Sequence, residues 1–175
     1  MYASFDDLEP GRTARSLADN VIAISSLTKC YGLGLQRVGW LLGPPDIVAS
    51  AEAALLSTCG HLPVAHANIG AQAFAELPRL AAHTKASLGE KRAMARAWTA
   101  KVGAHWSDPC EGLFGFCSIP GRGDLRQPIE TAAKAGVLVA PGVFFGQPNG
   151  FRLSWATTTE AEFAAGLALL ETQLF

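Results

Sequence analysis

No apolar run in these 175 residues is as long as a bilayer span, which leaves no candidate for a membrane-crossing helix. An excess of one charge is equally lacking. Fourteen basic and fifteen acidic residues give a net charge of −1, so nothing general points to nucleic acid or a membrane surface as partner. The four cysteines, Cys30, Cys59, Cys110 and Cys117, form no CxxC pair, and Cys59, His61 and His66 have no zinc-type spacing; no metal site is expected. Free, buried thiols in a reducing cytoplasm are the expectation. The start, Met1-Tyr2-Ala3-Ser4-Phe5-Asp6-Asp7, is acidic and unlike a signal peptide, which again predicts a cytoplasmic protein. Charged residues are scarce at 17%, against 49% hydrophobic, so the chain is globular, with material for one domain or for parts of two.

What is present centres on Ser25-Ser26-Leu27-Thr28-Lys29-Cys30-Tyr31-Gly32-Leu33-Gly34-Leu35-Gln36-Arg37-Val38-Gly39-Trp40. The flanking runs, Val21 to Ile24 and Val38 to Leu42, are short, unbroken and rich in branched or aromatic residues, which predicts buried strands. Lys29 at the mouth of such a strand offers an amine able to condense with an aldehyde if its surroundings lower its pKa. Ser26 and Thr28 supply hydroxyls, and Arg37 supplies a planar fork of donors suited to a phosphate dianion. Gly32 and Gly34 let the backbone fold back so that Arg37 can return toward Lys29. A lone lysine is ordinarily solvated. The whole constellation is harder to explain that way.

An aldehyde, a phosphate and a lysine together suggest pyridoxal phosphate. The stretch from Ser26 to Trp40 resembles the cofactor-lysine motif of the class I/II (fold type I) aminotransferases in the order and spacing of its serine, lysine, glycine turn and arginine. The resemblance implies that Lys29 bonds the cofactor aldehyde and later moves the proton. It implies that Ser26 and Arg37 hold the cofactor phosphate with Thr28 close by, and that Tyr2 meets the ring oxygen. The family's aspartate for the pyridine nitrogen would lie just upstream of Met1; without it the ring is a weaker electron sink.

Along the rest of the chain, Met1 to Asn20 read as a strand remnant and a loop. Asp46 opens a helix with Ile47, Val48, Ala51, Ala54 and Leu55 on one face, and a second helix runs from about Ala65 to Glu76 with Phe74 as its bulky anchor. Pro78 starts the longest helical stretch, to about Val102, weakened at Gly89 and solvated on a basic face that includes Lys91. Gly112 to Ile119 predicts a strand, Pro128 and Gly136 bracket a helix, and Val137 to Ala140 predicts a short strand. Phe151 to Ala156 alternates like a half-buried strand, and Thr159 to Glu162 forms a capping box before a final helix.

Arg152 lies among apolar neighbours, where a guanidinium is costly unless a carboxylate meets it. The segment Val139 to Gly146 followed by Gly150-Phe151-Arg152-Leu153-Ser154 resembles the family's C-terminal signature, which implies that Arg152 clamps the substrate α-carboxylate. A structural arginine bonded to a nearby acid is the plain alternative.

The resemblance covers essentially the whole chain but only the C-terminal half of a family member. It implies an α/β, PLP-transferase-like fold: a partial cofactor-binding large domain over residues 1–77, an interdomain helix over 78–103 and a small α+β C-terminal domain over 104–175. It implies transamination between an amino acid and a 2-oxo acid, in a homodimer or with a complementing N-terminal half. Val21 to Ser25 would then present an open sheet edge. Two alternatives stay open: a truncated, non-catalytic fragment or interaction piece, and a PLP-dependent lyase or decarboxylase on the same scaffold.

Overall fold

The computed structural model describes residues 13–107 and 112–175. The chain divides into two units between Lys85 and Ala86. In the first, a 3-10 helix (Ala14–Leu17) precedes strand β1 (Ala23–Ser26), which pairs antiparallel with β2 (Gly39–Leu42), placing Ile24 opposite Leu41 and Ser26 opposite Gly39. A tight turn and a 3-10 helix (Gly34–Gln36) join the two strands. Helices α1 (Pro45–Thr58), α2 (Val64–Ala75) and α3 (Leu77–Leu88) follow. Pro45 sits in the first turn of α1, where its missing N–H costs nothing.

The first unit's core is small. Leu27, Val38 and Ala73 are buried, with Tyr31, Leu33, Trp40, Leu77 and Leu80 packed against them. Gly70 lets α2 close on the start of β2, since a Cβ there would stand 3.1 Å from a Val38 methyl. Trp40 meets Phe74 edge to face at 4.9 Å. The two apolar runs are strands only in part, since β1 starts at Ala23 and β2 at Gly39, and the strands are not buried: Ile24 is 62% exposed and Leu42 40%. Helix α1 buries no residue, and its predicted apolar face is only partly covered, with Ile47 37% and Leu55 51% exposed. Continuous hydrophobicity signals burial on both faces of a strand. A two-stranded ribbon supplies no such layers.

The second unit contains helix α4 (Lys91–Lys101), strands β3 (His105–Ser107) and β4 (Phe114–Ser118), helix α5 (Arg126–Lys134), strand β5 (Ala140–Pro141), a 3-10 helix (Gly142–Phe145), strand β6 (Gly150–Ser154) and helix α6 (Glu160–Leu174). The four strands form one antiparallel sheet in the order β3-β4-β6-β5. Trp98 of α4, Ile129 of α5, and Phe163, Leu167 and Leu170 of α6 are withdrawn from water together with Cys117, Phe151, Leu153 and Trp155. This is a small α+β unit.

Three expectations need correction. The single helix from Pro78 to Val102 is two helices, broken at Gly89, whose φ of +53° favours glycine. A Cβ at Gly89 would collide with the Glu160 carboxylate, which accepts a hydrogen bond from the Glu90 N–H at 2.8 Å. Lys91 is not on a solvated face: the break resets the helix phase, and buried Lys91 donates from Nζ to the Thr158 carbonyl ahead of α6. The strand at Val137 to Ala140 shrinks to Ala140–Pro141, because the Val137 N–H closes the end of α5 by bonding the Ala132 carbonyl (2.9 Å).

Candidate functional site

Lys29 lies on the turn that leaves β1. The turn is held by backbone bonds from Leu27 N–H to Val38 O (3.0 Å), Leu33 N–H to Leu27 O (2.9 Å) and Gly32 N–H to Lys29 O (3.2 Å). Leu27 and Cys30 are its fully buried anchors, and they hold Lys29 half-buried between them. The Ser26 hydroxyl oxygen accepts from the Thr28 N–H at 3.3 Å, tying both hydroxyl residues to the base of the turn. Gly32 turns the chain at φ +71°, and a Cβ there would meet the Thr84 hydroxyl at 3.4 Å. Burial raises the Tyr31 phenol above its usual range, and the adjacent Cys30 adds to the effect.

Arg37 follows the 3-10 helix in a left-handed conformation, φ 53° and ψ 32°. Among the described residues it is the one non-glycine residue with positive φ. A long side chain adopts this conformation at a cost of about 1–3 kcal/mol, and such strain gathers where a residue must present its side chain in a fixed direction. Arg37 is exposed, and among the described residues no carboxylate pairs with it. Ser26, Thr28, Lys29 and Arg37 thus lie along one connection, from the end of β1 to the start of β2. Tyr2 lies outside the described residues.

Arg152 belongs to a second cluster, in the second unit. It is half-buried on β6, in a row that crosses the sheet from Ser107 through Phe116 and Arg152 to Ala140. Its guanidinium carbon stands 4.8 Å from the centre of the Phe114 ring and 5.7 Å from that of Phe145. Among the described residues no carboxylate pairs with it, so the structural ion pair that would explain a buried arginine is not seen there. The face carrying it is concave, about 520 Å³, and is lined also by His105, Ser107, Phe116 and Phe145. These neighbours escaped the sequence reading. The alternation of β4, in which Gly115 and Cys117 point inward and Phe114 and Phe116 outward, was their one available signal.

The family described as aminotransferase class I and II matches residues 3–170. This chain belongs to that family. Capreomycidine synthase of Streptomyces vinaceus is 28% identical over 167 residues, 89% of this chain and 41% of that protein. Aspartate aminotransferase of Streptomyces avermitilis is 28% identical over 156 residues, 82% of this chain and 38% of its own length. Among solved structures, a PLP-dependent aminotransferase from Streptococcus suis superposes with a TM-score of 0.86 at 23% identity, covering 99% of this chain and 46% of that one. The fold is therefore that of the fold type I aminotransferases. The chain spans less than half the length of the curated relatives it matches.

Proposed function

We propose that these residues provide the lysine turn and the carboxylate-binding sheet of a pyridoxal-phosphate-dependent aminotransferase. The closed turn carries this reading: it holds an amine half-buried beside two hydroxyl residues and a strained, carboxylate-free arginine. Those groups fit the cofactor. Ser26 and Arg37 would bind its phosphate with Thr28 beside them, Lys29 would bond its aldehyde, and Tyr2 would meet the ring oxygen. When bound, the cofactor supplies the aldehyde that takes up the amino group and the ring that stores electrons.

Lys29 then acts as the base. Its Nζ would take the proton from the substrate Cα and return it. Arg152 would hold the α-carboxylate through its paired N–H donors. Family membership supports this assignment, and the substrates are an amino acid and a 2-oxo acid. We also propose the corresponding division of labour. Residues 1–77 belong to the cofactor-binding domain, 78–103 link, and 104–175 form the small domain, in a cytoplasmic homodimer or with a complementing N-terminal half. No helix among the described residues is long and apolar enough to cross a membrane.

Product analysis tests the reaction. Protein carrying these residues, given pyridoxal phosphate and an amino acid, is expected to yield the 2-oxo acid without free ammonia. Ammonia release would indicate elimination, and carbon dioxide release decarboxylation.

A further inference from the structure

We propose that the substrate met at the Arg152 face carries an apolar side chain of aromatic size, not a second carboxylate. The inference rests on the assignment of Arg152 as the carboxylate-binding residue. Three phenylalanines surround that arginine. Phe114 and Phe145 flank the guanidinium, and Phe116 occupies the neighbouring position on β4 directly across from it. Phe116 and Phe145 meet edge to face at 5.8 Å and form a continuous apolar wall. The wall is built in: Gly150 leaves room for the Phe116 ring, since a Cβ there would come within 2.7 Å of it.

Charge points the same way. Among the described residues lining the concavity, Arg152 is the only arginine or lysine. One carboxylate satisfies it. A second carboxylate would lose water against phenyl rings and find, among the described lining residues, no second guanidinium or ammonium but only the polar His105, Ser107, Ser118 and Gln147, whereas an apolar group gains by covering the rings. The concavity, about 520 Å³, has room for a phenyl-bearing acid. Specificity here is therefore partly a penalty on the wrong ligand.

Calorimetric titration of the whole chain with 3-phenylpropanoate and with glutarate, two unreactive analogues, tests this. The phenyl acid is expected to bind at least about tenfold more tightly. Phe145→Ala, a change at a half-exposed ring, should bring the two affinities within about twofold of each other. Arg152→Gln should abolish binding of both acids, with circular dichroism checking that each variant folds. Equal binding of the two acids by the wild type, lost in Arg152→Gln, would overturn the inference and leave the role of Arg152 standing. Binding that Arg152→Gln does not alter, or binding of neither acid, would overturn the role of Arg152 and the inference with it.

Discussion

Gly142 sits where two backbone segments pass too closely for any side chain. A Cβ there would run into the carbonyl oxygens of Gln147 and Gly150, both backbone atoms that cannot swing away. The turn after Pro141 therefore depends on glycine, and through it the placement of Phe145 and Arg152. Gly142→Ala is expected to destabilise the second unit by about 1–3 kcal/mol, the usual cost of overpacking. Urea denaturation followed by tryptophan fluorescence measures it, and an unchanged midpoint would contradict the close approach. Cys117 illustrates the opposite situation. Burial pushes its thiol up to about 12, so it stays protonated and packs as a small apolar residue. The sequence predicts buried free thiols: Cys30 is buried too, but Cys59 is exposed, and Cys110 lies outside the described residues.

Helix α6 starts at a closed capping box. The Thr159 hydroxyl accepts from the Glu162 N–H at 3.2 Å, and the Glu162 carboxylate accepts from the Thr159 N–H at 2.8 Å, so both halves of the predicted capping box are made. Thr159→Ala should cost about 1 kcal/mol through the lost cap. The effect should depend on pH. Hydrogen bonds from the Thr159 backbone and hydroxyl hold the Glu162 carboxyl below its ordinary 4.5, with the charge of Lys91 assisting. A depressed carboxyl pKa favours the folded state above the ordinary value, and that contribution fades as pH falls through the depressed one. The difference in melting temperature between wild type and Thr159→Ala should therefore be full at pH 6 and shrink toward pH 3. A difference constant with pH would argue against the carboxylate's part in the cap.

Local chemistry made α6 and its cap legible in sequence, as it did the turn around Lys29. Lys91 was not legible: its burial depends on Thr158, far away in sequence, and on a helix break whose geometry a single glycine hints at without fixing. The wall around Arg152 was hidden for a similar reason. Phe114, Phe116 and Phe145 become neighbours of Arg152 only through the register of β4 and β6 and the 3-10 helix after β5.

At the scale of the whole molecule, the two units are unequally finished. In the second, four strands and three helices enclose aromatic residues such as Phe151 and Trp155 completely. The first places its lysine turn on a small core around Leu27, Val38 and Ala73 and leaves Ile24, Leu55 and Val64 more than half open to solvent. The unbroken apolar run at Val21 to Ile24 read as buried because burial is a property of layers, which a sequence window does not contain. We propose that the turn bearing Lys29 is a cofactor site. The most direct measurement is the visible absorbance of the purified chain with pyridoxal phosphate, before and after borohydride, beside Lys29→Ala, with peptide mass mapping. The expected result is a band that borohydride removes while fixing the cofactor covalently to the Lys29 peptide, absent from the variant. No band, or an equal one in Lys29→Ala, would contradict it.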